Sequence, residues 1–268
     1  MGDDERDPRL PHPFESRPVI GMVHLRPLPG TMYFEGSLDA VQDRAITDAI
    51  VLEGAGFDGL IVENFGDIPF RKEQVEPHTV AAMTAVVNEI RREVDLPIGI
   101  NVLRNDPFAA VAVASATGAR FIRVNVHSGV MVTDQGIIEG RAAELIAYLD
   151  RVAPDLAVWA DVNVKHARPL VSRPIAETAQ ETMERGGAHA LIVTGSQTGH
   201  AADLKELQKV RGAVAGPVLV GSGVTPENIA EIFPECDGVI VGSSIKETGQ
   251  AAWPVDPERA SALIDGVR

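Results

Sequence analysis

At 268 residues and 28.6 kDa, with 45% hydrophobic side chains, the chain can bury a large core, and no apolar run nears the roughly 20 residues of a membrane helix. A net charge of −14 and a pI of about 4.9 argue against nucleic acid as a partner, and no direct membrane insertion is expected. A single cysteine, Cys236, excludes a disulfide framework and any cysteine-based metal cluster.

The opening, MGDDERDPRLPHPFESRP, is charged and Pro-rich and does not read as a signal peptide. Residues 1–16 are expected to form a flexible arm before one domain over residues 17–268, in the cytoplasm. Short apolar runs then alternate with helical patterns, as βα units do. The first strand is Val19–His24, and its helix runs from an N-cap near Ser37 to Glu53, stopped by Gly54–Gly56. The second is Gly59–Glu63, with a long loop to Pro77 and a helix to Arg92. The third is Ile98–Val102, with a helix after Pro107 that ends near Gly118. The fourth is Phe121–Val126, then a long loop to Gly136 and a helix to Arg151. The fifth is Ala157–Val164, with a helix from about Pro174 to Arg185. The sixth is Ala190–Thr194, with a helix over Asp203–Val210. Strands at Val218–Val220 and Gly238–Val241 and a helix from Pro257 complete eight units, the pattern of a (β/α)8 TIM barrel. A doubly wound open sheet fits less well, because no GxGxxG opens the chain.

The last two strands end in small-residue turns, Gly221–Ser222–Gly223 and Gly242–Ser243–Ser244. In a barrel the phosphate cup follows these two strands, where backbone N–H groups can approach an anion. Thr225 as N-cap, Pro226 at the first helical position and acidic Glu227 read as a helix start that adds positive potential. The alternative is that the glycines serve tight turns only.

Polar residues gather at the other strand ends. These are His24, the pair Glu63 and Asn64, Asn101, the pair Arg123 and Asn125, then Asp161, Asn163 and Lys165 at period two, and Thr194 with Gly195. Buried side chains of this kind must satisfy one another, water or a ligand. Glu63 and Asp161 are candidates for an acid/base pair, His24 for a catalytic imidazole beside Glu63, Lys165 for an electrophile, a phosphate partner or a Schiff-base nucleophile, and Gly195 for a further contact to the phosphate. Arg123 and Asp161 could instead be a structural ion pair, and His24 a satisfied core histidine. His127, His166 and His200 fall in loops and read as ordinary solvated residues. No cofactor is expected, although His24, Glu63 and Asp161 could hold a divalent metal such as Mg²⁺.

The segments GMVHLRPLPG, VENFGDIPF, ADVNVKHA, LIVTGSQTG, VGSGVTPEN and VGSSIK, followed by PVDPERA, together resemble the BtpA/SgcQ family over nearly all of Arg17–Ile264. The resemblance implies a TIM barrel of the ribulose-phosphate-binding kind. That family is named for a factor needed to build up photosystem I, while other members sit beside sugar-metabolism genes. Two functions follow as expectations: a homo-oligomeric enzyme on a small phosphorylated molecule, or a non-catalytic assembly factor for a membrane complex.

Arginine far outnumbers lysine, and an acidic, Lys-poor surface suits a high-salt, halophilic setting. Self-repulsion at a charge of −14 destabilises the compact state, and salt screens it. The melting temperature should therefore rise between dilute and molar KCl; a flat or falling value would defeat the high-salt reading.

Overall fold

The computed structural model describes residues 7, 9, 11–164, 166–195 and 204–268. The apolar runs read as strands become strands, and α1, α3 and α8 start on capping side chains. In chain order these are β1 (Val19–His24), α1 (Leu38–Ala55), β2 (Gly59–Glu63), α2 (Pro77–Glu93), β3 (Ile98–Asn101), α3 (Pro107–Thr117) and β4 (Phe121–Val124). Then come β5 (Val130–Thr133), β6 (Gly136–Glu139), α4 (Ala142–Val152), β7 (Ala157–Asn163), β8 (Ala167–Pro169), α5 (Ile175–Gln180) and β9 (Ala190–Val193). The chain closes with α6 (Leu204–Ala213), β10 (Val218–Val220), α7 (Ile229–Ile232), β11 (Val239–Val241) and α8 (Pro257–Asp265). Ser37 caps α1 by accepting from the Ala40 N–H, and Gly56 ends it in the left-handed region.

Eight strands close a parallel barrel in the order β1-β11-β10-β9-β7-β4-β3-β2. Period-two alternation sends Val19 and Val23 of β1 out to the helices and Ile20 and Met22 into the barrel. The barrel interior opens with a stack of Phe121 on Trp159, ring centroids 3.9 Å apart. Phe14 packs edge-on against this stack, and the Trp159 indole N–H donates to the His12 carbonyl at 3.1 Å. Residues 12–14, expected to belong to a flexible arm, therefore plug the N-terminal end of the barrel around Phe14. Burying a large aromatic ring outweighs the Pro-rich composition there.

Side chains just before three strands tie down N–H groups at the starts of their neighbours. Asp58 accepts from Val19 at 2.8 Å, His189 Nδ1 from Val158 at 3.0 Å, and Asp237 from Val218 at 2.9 Å. At the opposite end Lys246, fully buried, donates to Asp48 of α1 at 2.9 Å. The other Asp48 oxygen accepts from the Val255 N–H at 2.8 Å.

Two expectations are corrected. The loop after β4 folds back as the β5–β6 hairpin, which pairs with β8 in a separate antiparallel sheet ordered β6-β5-β8. The helix expected from Pro226 with Thr225 as its cap starts three residues later. The Asn228 side chain takes the Thr225 N–H and gives to the Gly223 carbonyl, so these residues form a turn rather than a first helical turn. Among the described residues no helix is long and apolar enough to cross a membrane.

Burial holds the His189 pKa below its ordinary value, and its Nδ1 must stay unprotonated to accept from Val158. His127 is depressed by burial in the same direction. A depressed pKa contributes stability above the unfolded value of about 6.5, and that contribution is lost as pH falls below it. The melting temperature should fall from about pH 7 to about pH 5.5. In His189→Asn, where an amide oxygen can accept the same N–H without titrating, the fall should be shallower; an unchanged slope would remove His189 from the acid response.

Candidate active site

Parallel register brings the polar strand ends to one level. His24 pairs with Glu63 across β1 and β2, and Glu63 pairs with Asn101 across β2 and β3. Further round, Arg123 of β4 donates from Nη2 to both Asp161 oxygens on β7, at 3.0 and 3.2 Å. Asn125 donates to the same carboxylate at 2.8 Å and accepts from Asn101 at 3.3 Å. Burial alone would lower the Arg123 pKa, but Asp161 and then Glu63 hold it above its ordinary value, so it stays cationic.

Above this layer opens a cavity of about 820 Å³. His24, Glu63, Arg104, Arg123 and Asn125 form its floor and near wall. His24 Nε2 lies 3.8 Å from Glu63 Oε1, its Nδ1 lies 3.1 Å from the Ala251 carbonyl, and its ring leans on Phe65 at 4.7 Å. Burial lowers the Arg104 pKa, against the attraction of Asp134, Asp161 and Glu63.

The turns after β10 and β11 form another wall. Gly221 gives its N–H to Val193 at 2.8 Å; a Cβ there would lie 2.4 Å from Ile192 Cγ2, so this glycine makes room for the packed interior. Gly223 has φ +71°, which leaves its turn open to the cavity. Ser244 Oγ donates to the Val224 carbonyl at 2.6 Å, tying the two turns together. Among the described residues, the hydrogen bonds of these turns leave the N–H groups of Gly223 and Ser243 unused.

Not every expected residue faces the cavity. Asp161 is fully buried beneath it, with its carboxylate committed to Arg123 and Asn125, so it positions Arg123 and is not placed for proton transfer. Asn64 is also turned away: it donates to Asp67 and the Leu103 carbonyl and accepts from the Leu103 N–H at 2.7 Å, bracing the loops after β2 and β3. Asn101 lies below the floor, and the Gly195 N–H is committed to Ser222 Oγ at 2.6 Å. Thr194 and Gly195 border a second hollow beside β8 and α5. Lys165, His200 and the side chain of Asn163 lie outside the described residues. His127, expected in solvent, is buried with Nε2 2.7 Å from the Gly186 carbonyl, and the turn at Gly186 packs against its ring. No group of three or more described His, Cys, Asp or Glu residues could hold a metal, and Asp161 does not turn toward His24 and Glu63.

Sequence reasoning missed Arg259. It stands in the first turn of α8, lines the cavity, and carries Nη1 to 3.4 Å from the Ser244 carbonyl. The Asp256–Pro257 start of α8 was the available signal, since it fixes the helix whose next residues reach the mouth. Glu227 and Glu258 share this rim. Hydrogen bonding from Thr225, more than the nearby Arg259 charge, lowers the Glu227 pKa.

The BtpA family model matches residues 15–268. The photosystem I biogenesis protein BtpA of Synechocystis sp. is 47% identical over 251 residues, covering 93% of this chain and 88% of that protein. Among solved structures, thiamine phosphate pyrophosphorylase from Pyrococcus furiosus matches with a TM-score of 0.56 at 16% identity, over 93% of this chain and 95% of the other. Phosphoribosyl anthranilate isomerase from Thermus thermophilus matches with a TM-score of 0.58 at 14% identity, over 93% and 98%. At such identities these structures share the barrel fold.

Removing one partner of a buried pair leaves the other charge uncompensated, at a cost of about 3–5 kcal/mol. Asp161→Asn should therefore lower the stability measured by urea unfolding by about that amount, and Glu63→Gln by clearly less. Equal stabilities for both variants and wild type would show that the Arg123 pair does not hold the floor.

Proposed function

The chain belongs to the BtpA family, and we propose that it is an enzyme that acts on a small phosphorylated metabolite by acid/base chemistry, of the isomerase, epimerase or lyase kind. The observation that carries this reading is the joining of three features in one cavity: turns with unused N–H groups, an imidazole beside a carboxylate, and a buried arginine. The Gly223 and Ser243 amides with Arg259 would hold the phosphate, Arg259 offsetting the repulsion from Glu227 and Glu258. His24 and Glu63 stand side by side in this cavity, Nε2 3.8 Å from Oε1, so a substrate seated on its floor would meet both. Glu63 and His24 would then move a proton at a substrate carbon, while Arg123 and Asn125 hold the oxygen that gains charge.

A second reading has its own observations. The 47% identical relative is named for photosystem I biogenesis, and Ile137, Leu170 and Val171 stand exposed on and beside the small antiparallel sheet, as a surface for assembling with another protein would.

The two readings separate by titration and turnover. Calorimetry with a sugar phosphate should give tight binding to wild type, at least tenfold weaker binding to Arg259→Gln, and none to Gly223→Asp, where a carboxylate repels the anion. With a substrate found by thermal-shift screening of phosphorylated metabolites, Glu63→Gln should bind and lose about 10²–10⁴ in turnover. Unchanged binding in both cup variants would rule out the phosphate site, and wild-type turnover in Glu63→Gln would rule out the acid/base role.

A further inference from the structure

The cavity is much larger than a phosphate and three carbons require, since about 820 Å³ is the scale of a drug-sized ligand. Its two sides differ in chemistry. In the closed strand order β3 stands opposite β10, while β2 stands three strands from β10 and two from β11, so the loops after β2 and β3 face the turn after β10 across the mouth. Those loops supply Phe65, Ile68, Phe70 and Leu103 to the lining. Two of the eight phenylalanines in the chain therefore stand on one wall of one cavity. Ile68 is 46% exposed there. Connecting loops are normally polar, and apolar side chains turned to a water-filled cavity gain stability only when something apolar covers them.

Resting on the phosphate reading above, we propose that the substrate carries an apolar, planar ring at the end remote from its phosphate, and that Phe65, Ile68 and Phe70 form the subsite that receives it. The polar floor of His24, Glu63 and Arg123 lies between the two walls, where the carbons joining phosphate to ring would sit. Aromatic rings favour offset-stacked or edge-on contacts with Phe side chains, so flat rings are selected over extended alkyl chains. The ring subsite also accounts for the size of the cavity, which a bare sugar phosphate would leave partly filled with water.

The test uses three ligands on the full chain by calorimetry: ribose 5-phosphate, adenosine 5′-monophosphate, and a phenyl riboside 5-phosphate. Both ring-bearing ligands should bind wild type at least tenfold more tightly than ribose 5-phosphate. Phe70→Ala and Ile68→Ser, both in a surface loop and both checked by thermal melts, should each erase most of that advantage. Neither should change ribose 5-phosphate binding by more than about twofold. An advantage for the purine alone would keep the ring subsite and assign it hydrogen-bonding selectivity as well. Equal affinity for all three ligands in wild type, with all three weakened by Gly223→Asp, would overturn the ring subsite and leave the phosphate reading standing. Ring-dependent binding that Gly223→Asp does not weaken would keep the apolar wall and overturn the phosphate reading. No binding of any of the three would overturn both.

Discussion

The contact on which the mouth of the barrel depends is the Arg123–Asp161 pair. A guanidinium buried at that depth must be matched by charge and hydrogen bonds, and Nη2 meets both oxygens of a carboxylate on the adjacent strand. The rest of the layer follows. Asn125 shares the carboxylate, Asn101 steadies Asn125, and Gly221 has no side chain to occupy the space beside Nη2. Below the pair the interior is apolar down to the Phe14, Phe121 and Trp159 stack; above it the cavity opens. The barrel thus changes from core to site across one layer of side chains.

A second buried pair positions the turn after β11. Lys246 follows the Ser243–Ile245 turn directly, and its ammonium is held by Asp48 of α1. The same carboxylate takes the Val255 N–H just before α8. One acid in the first helix therefore fixes both the Ser243 turn and the helix that carries Arg259 to the mouth. At the opposite end Asp58, His189 and Asp237 fasten strand starts, so the loops that form the cavity stand on a frame tied at both ends.

The strands were legible because each is an apolar run bounded by glycine, proline or polar residues, and the helix starts because Ser37, Asp106 and Asp256 act as caps. The polar strand ends were legible too, since period two places Arg123 with Asn125 on one face. What failed was long-range. Lys246 appears in the sequence only as the end of VGSSIK, and nothing local reveals that Asp48, in the middle of α1, is its partner. Asn64 and Asp161 look like ligand-facing groups until the backbone of Leu103 and the guanidinium of Arg123 are seen to claim them. The Val130–Glu139 hairpin was read as loop because its strands are mostly exposed, unlike the barrel strands, which are buried along their length.

Charge on two length scales separates the surface from the site. The whole chain carries −14, and its repulsion of anions is largely screened beyond a Debye length of roughly 8 Å. Within the cavity the balance differs: Arg104, Arg123 and Arg259 line it against Glu63, Glu227 and Glu258, beside backbone N–H groups that carry positive partial charge. An anion gains nothing from the approach and gains only on contact, where desolvated hydrogen bonds act at short range. A cavity of that kind discriminates by fit. Selectivity then falls to the walls, polar turns on one side and Phe65, Ile68 and Phe70 on the other, because the electrostatic field of the protein supplies none of it.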